Sequence, residues 1–241
     1  MTATTSSQIV LPGQAAAPDG PVDLTAMFVM HHGFRRDLRD FAAAADRTPV
    51  TDRAAWRALD RRWKAFAMVL HHHHAGEDAG LWPLLLDRSS AAGDTAAVAT
   101  LHAMEAEHEE IDPLLEACAA DLAVLGERAD EDARAALHVR LVGAGERLGA
   151  HLAHEERDAL ALVQRLLTPD DWAAMEKEHF ARTATLRYLV FVVPWVLDEL
   201  PEHAVRRLRE SAGPVFQLLR PLLRPSYARL DRAAFRYVTT G

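Results

Sequence analysis

Two pairs of side chains stand four residues apart in this chain of 241 residues: His73 with Glu77, and His151 with Glu155. On a helix that spacing puts an imidazole and a carboxylate on one face, one turn apart. Each pair can chelate one metal ion or span two. His31 and His108 each add one imidazole. The chain has 13 histidines and a single cysteine, Cys118. Thiolate zinc sites and an internal disulfide are therefore excluded, and metal must be held by His, Asp and Glu. Imidazole and carboxylate together suit iron, manganese or zinc. Two carboxylates can also bridge two metals and partly neutralise their charge.

These six residues can meet only if the intervening chain positions them. Almost everything after residue 22 reads as helix: Ala, Leu, Arg and Glu dominate, and Gly and Pro gather between segments. Four long helices are expected. The first spans 23–46. The second runs from the Thr51-Asp52 cap to about Leu86, with disturbance expected at Gly76, Gly80 and Pro83. The third spans 94–125 and should bend at Pro113. The fourth spans 132–167. Short loops between them predict an all-α, up-down-up-down four-helix bundle over 23–167. Heptad columns place the polar residues on otherwise apolar seams: Trp63, Leu70, Glu77, Leu84 and Phe66, His73, Gly80 on the second helix, and Leu148, Glu155, Leu162 and Ala144, His151, Asp158 on the fourth.

Depth agrees. His73 lies 14 residues before Asp87, His108 lies 14 after Asp94, and His151 lies 16 before Leu167. In antiparallel neighbours rising about 1.5 Å per residue, these three reach similar heights. His31 stands 8 residues after Asp23, so its helix begins deeper in the bundle.

Residues 1–22, rich in Thr, Ser, Ala, Pro and Gly, read as a disordered tail without the basic start and apolar stretch of a secretory signal. Residues 168–241 read as a C-terminal helical extension broken at Pro194, Pro201, Pro214, Pro221 and Pro225. Its aromatic mass should pack on the bundle or form a homodimer face. The formal charge of −8 argues against nucleic-acid binding. The most apolar run, 188–197, is about half the roughly 20 residues that a membrane-spanning helix needs. These features predict a cytoplasmic protein.

The motifs resemble the hemerythrin-like family with its His-His-Glu cation-binding motif, over about residues 23–167. The second-helix motif is matched by His-His-His-His-Ala-Gly-Glu-Asp-Ala-Gly-Leu-Trp-Pro, 71–83, where counting back from Pro83 marks His73 and Glu77. Ala-Glu-His-Glu-Glu-Ile-Asp-Pro-Leu-Leu, 106–115, marks His108. His-Leu-Ala-His-Glu-Glu, 151–156, marks His151 and Glu155. Met-His-His-Gly-Phe-Arg-Arg-Asp-Leu, 30–38, marks His31 over His32, because His31 shares with His108 the offsets of its downstream apolar residues. The resemblance implies a non-heme di-iron centre of two iron ions, oxo- or hydroxo-bridged, with manganese or zinc as substitutes. It also implies a small oxidant ligand (O2, H2O2 or NO) and a role in oxidative stress.

Oxygen-carrying members have five histidines and two carboxylates. Here Met104 stands where their third helix has a second histidine, and Asp112, His154 or His179 is a candidate to complete the shell. An imidazole short of that set, the centre is expected to favour reaction with peroxide, as in catalase-like turnover, over reversible oxygen carriage. The alternatives are iron or oxygen sensing or storage without turnover, and a zinc-stabilised helical interaction protein. His74 with Asp78 and His154 with Asp158 repeat the ligand spacing and form alternative registers. His71, His72 and His74 cannot all face inward, and solvent exposure or a supporting role beside the ligands is expected of them. The preferred register predicts that His108→Ala lowers bound metal, measured by elemental analysis of purified protein, whereas His72→Ala leaves it unchanged.

Overall fold

In a computed structural model, residues 7–211 and 213–238 are described, with side chains omitted for 211–220. Helix α1 spans Thr25–Arg47. Helix α2 spans Arg53–Gly76, a π-helical turn covers Glu77–Leu81, and α3 continues from Trp82 to Ala91. Helix α4 spans Thr95–Glu127 and runs on through Pro113. Helix α5 spans Glu131–His154, a second π-turn covers Glu155–Ala159, and α6 spans Leu160–Leu166. Asp52, Asp94 and Asp130 cap α2, α4 and α5, each accepting a hydrogen bond from the backbone N–H three residues on, as short acidic side chains do at helix starts. Helix α1 packs on α5, α5 on α4 and α4 on α2.

The two π-turns correct the predicted seams. A π-turn inserts one extra residue into the helix and so shifts every later position. Leu84 was expected inside, but it is only partly buried, and Leu85 is fully buried in its place. On the other helix Asp158 was expected on the seam. It is exposed, and Ala159 takes the inner position.

The C-terminal chain forms α7 (Pro169–Met175), a third π-turn (Glu176–Ala181), α8 (Leu186–Trp195), α9 (Glu202–Ser211) and α10 (Gly213–Ala234). Pro221 and Pro225, expected as breaks, lie inside α10. Both are exposed. Helix α10 packs on α2 and α8, and α9 packs on α1. Val192, Trp195, Leu208 and Tyr227 join the same core as Phe34, Leu70 and Leu148.

The N-terminal segment also differs from expectation. Ile9, Leu11 and Val22 are buried. Their polar backbone is satisfied by side-chain amides: Gln8 Nε2 donates to the Val22 carbonyl, the Leu24 N–H donates to Gln8 Oε1, and the Val22 N–H donates to Gln164 Oε1. Composition concealed this, because three apolar anchors and two glutamines suffice to lay the strap on the bundle. Residues 1–6 of the expected tail lie outside the described residues.

A buried charge cluster fastens the C-terminal helices to the bundle. Asp37 of α1 receives Arg36 at 2.8 Å and Arg62 at 2.8 Å, and accepts the Trp195 Nε1–H at 2.9 Å. Arg62 reaches on to Asp231 at 3.2 Å. Burial works against the Asp37 carboxylate, but Arg62 and Arg36 hold its pKa below the usual range. Removing this one carboxylate strands two buried guanidinium ions. Asp37→Ala should cost about 3–5 kcal/mol of stability, read as a lower urea midpoint in equilibrium unfolding.

Candidate metal centre

All six residues expected in the site are buried: His31, His73, Glu77, His108, His151 and Glu155. The structure brings them together and adds a seventh, His74. One group consists of His31, His73, Glu77 and Glu155, whose ligand-capable atoms all lie within 4.8 Å of one another. A second consists of His74, His108 and His151 within the same limit. The glutamates connect the two groups. Glu77 lies 3.0 Å from His73 Nε2 through one oxygen and 3.7 Å from His108 Nε2 through the other. Glu155 Oε2 lies 3.2 Å from His31 Nε2 and 4.0 Å from His151 Nε2.

His74 is the ligand candidate that heptad reasoning missed. The sequence offers it as an alternative register, paired with Asp78, and otherwise as solvent-facing or supporting; it is instead buried and grouped with His108 and His151. Consecutive residues on a helix are about 100° apart, so His73 and His74 can face two neighbouring groups across one seam. The His74 ring stacks on His108 with centroids 3.9 Å apart. The adjacent run of histidines was the available signal. His71 is exposed, and His72 Nε2 instead sits 3.0 Å from Thr183 Oγ1. Asp78 does not join the groups as a ligand candidate. Its Oδ1 accepts from His108 Nδ1 at 2.8 Å.

The remaining candidates fall outside both groups. Asp112 is exposed. His154 Nδ1 donates to Glu107 Oε1 at 2.8 Å. His179 lies against the first π-turn: a Cβ on Gly80 would meet its ring at 2.5 Å, as one on Gly76 would meet Phe180 at 2.5 Å. Glycine at these two positions lets the third π-turn approach the Glu77 turn closely. Met104 is fully buried core. Cys118 is buried, which pushes its thiol up to about 12, so it stays protonated.

Hydrogen bonding fixes which ring nitrogens face inward. Carboxylates take the Nδ1–H groups of three imidazoles: Asp78 from His108, Glu107 from His151 at 2.8 Å, and Glu156 from His31 at 2.9 Å. Arg35 holds Glu156 from the other side with both guanidinium arms. Such carboxylate–imidazole pairs set the tautomer and aim Nε2 at a cation. His108 Nε2 and His151 Nε2 then face each other at 3.1 Å with both lone pairs turned inward. The Nε2 atoms of His31, His73 and His74 and all four oxygens of Glu77 and Glu155 are buried without a hydrogen-bond partner of good geometry. So many buried, unpaired donor atoms aimed at one another are costly unless a cation satisfies them. The residues present thus fit metal ions.

Electrostatics carry the same signature. Burial, followed by the charge of Glu155, raises the Glu77 pKa well above the usual range. Burial alone would lower that of His31, but Glu155 and Glu156 overcome it and raise it to about 9. Glu155 is likewise opposed by burial, yet His31 holds it down to about 2. Burial lowers His73 and His74 well below the ordinary value, leaving neutral imidazoles with free lone pairs. Phe34 bounds the site, its ring 5.1 Å from that of His73, and Trp195 backs Phe34 at 5.3 Å.

A helical chain whose buried imidazoles and carboxylates converge in two linked groups is a metal-binding protein by construction. Its sequence matches the Hemerythrin HHE cation binding domain over residues 22–163, and the chain belongs to that family. No curated protein and no solved structure matches it. Among the described residues, no helix is long and apolar enough to cross a membrane.

Metal competes with protons for these side chains, above all for His31. Affinity should therefore fall as pH falls, and the His31 contribution should keep growing with pH until about 9. Competition with a metal-sensitive dye across pH 5.5–9 checks this; a flat profile would contradict it.

Proposed function

We propose that the chain holds two iron ions, one in each group, with Glu77 and Glu155 spanning them. The observation that carries this reading is the linkage itself, since each carboxylate approaches one imidazole from each group. His31 and His73 would hold the first ion, and His74, His108 and His151 the second. Mixed imidazole and carboxylate donors suit iron, with manganese or zinc as substitutes. A bound iron pair supplies reversible electron transfer with a small oxidant such as O2, H2O2 or NO.

His74 reverses the expectation built on Met104. The fifth imidazole comes from the second helix instead of the third. The donor count is then five histidines and two carboxylates, equal to that of the oxygen-carrying members. This supports oxygen binding alongside peroxide or nitric oxide chemistry, and it removes the argument for a shell short of one imidazole. With only two imidazoles, the His31–His73 group is the one that leaves room for the small ligand. The chain's own contribution there is orientation and exclusion of water. Glu156 and Arg35 fix the His31 ring, while Phe34, backed by Trp195, closes one wall.

Full-length protein from iron-replete cells should carry two irons per chain and show charge-transfer absorption in the near-ultraviolet and visible range. His74→Ala should retain about one. Zinc at full occupancy without such bands, or unchanged iron in His74→Ala, contradicts the proposal. Oxygen evolution from added peroxide then separates turnover from binding.

A further inference from the structure

A trough of about 370 Å³ lies where α2, α8 and α10 meet. This volume is in the range of small-molecule sites. Its floor is apolar: Phe191 is buried, and Ala65, Met68 and Leu230 are partly buried. Its exposed edges carry Arg61 from α2 and Arg187 from α8. Neither arginine has an acidic partner among the described residues. Their surroundings explain why. No Asp or Glu occurs in 179–197 or in 211–230, the stretches that form α8 and most of α10. The nearby Lys64 is already paired with Asp60 at 2.7 Å. The other polar groups are also committed: Tyr227 Oη donates to Asp198 Oδ2, and Ser226 Oγ to the Leu223 carbonyl. The polar groups left unpaired are therefore two guanidinium ions flanking a greasy floor.

We propose that this trough binds a single-chain amphipathic anion of the fatty-acid class. The alkyl chain would lie on Met68, Phe191 and Leu230, and the carboxylate would take the arginines, whose fork geometry suits it. A concave trough built from three helices fits one chain. A bilayer surface would instead require apolar side chains that protrude from a rim of cations. This site is separate from the metal centre and does not depend on how that centre is read.

The test is isothermal titration calorimetry of the full chain, stripped of lipid, with octanoate, decanoate and dodecanoate below their micelle-forming concentrations. One saturable site per chain is expected, tightening about tenfold for every two carbons added. Decanol should bind several-fold more weakly than decanoate. Arg61→Gln/Arg187→Gln should weaken decanoate to the level of decanol while leaving iron content and thermal midpoint unchanged, since both side chains are exposed. Four results would overturn the proposal: no saturable binding, equal affinity for acid and alcohol in the wild type, binding only to anionic vesicles, and a stable dimer by sedimentation that excludes decanoate.

Discussion

Glu77 and Glu155 lie fully buried among five imidazoles, and all four of their oxygens lack a hydrogen-bond donor of good geometry. Two carboxylates brought together in a low-dielectric interior repel each other and each loses its hydration. That cost shows in the titration: burial and Glu155 raise the Glu77 pKa well above the usual range, and Glu155 and Glu156 raise that of His31 to about 9. The rest of the structure can be read as support for this unfavourable arrangement. Asp78, Glu107 and Glu156 orient three of the rings from outside. The long apolar seams of α1, α2, α4 and α5 supply the burial that keeps water out.

The same constraint explains the first two π-turns. Each begins at one of the two glutamates. A regular helix gives the His–Glu pair its four-residue spacing, but it then carries the apolar seam onward on a fixed phase. One inserted residue rotates the following turns by about 100°. Leu85 and Ala159, in place of Leu84 and Asp158, then fill the core beyond the site. The wider turns sit where the ligand pairs demand one phase and the packing demands another. The third π-turn presses His179 and Phe180 onto Gly80 and Gly76, covering the first of these junctions from outside.

What the sequence made legible follows from these phases. The long helical stretches, the Asp52 cap and the six residues on heptad columns depend only on local spacing and on depth along neighbouring helices. All six were found buried and convergent. His74 was illegible to the same reasoning because a heptad column admits one inward residue per turn, whereas two adjacent metal groups create two inward directions. Leu84 and Asp158 were misplaced because periodicity assumes a constant 3.6-residue turn: Gly76, Gly80 and Pro83 announced a disturbance where the first π-turn lies but not the one-residue shift it makes, and the second π-turn carries no Gly or Pro. The strap over residues 7–22 was misread for a different reason: Ile9, Leu11 and Val22 are too sparse to give a period, and the side chains that accept from the Val22 and Ala15 N–H groups, Gln164 and Glu156, lie far along the chain.

The C-terminal helices are tied to the site by contact as well as by core. Trp195 touches Phe34, which touches His73, and a Cβ on Gly33 would meet the Trp195 ring at 2.6 Å. The indole is held in turn by Asp37, the carboxylate that neutralises Arg36 and Arg62. Arg62 lies among the rings of Phe41, Phe191, Tyr227 and Phe235. A buried charge is costly to leave alone, so this cluster fixes α8 and α10 in one position against α1 and α2. The wall behind His73 is therefore set by an ion pair between distant parts of the chain. The C-terminal helices thus supply part of the enclosure around the donor residues, through Trp195 behind Phe34 and through His179 and Phe180 against Gly80 and Gly76, although His179, their one ligand candidate, joins neither group.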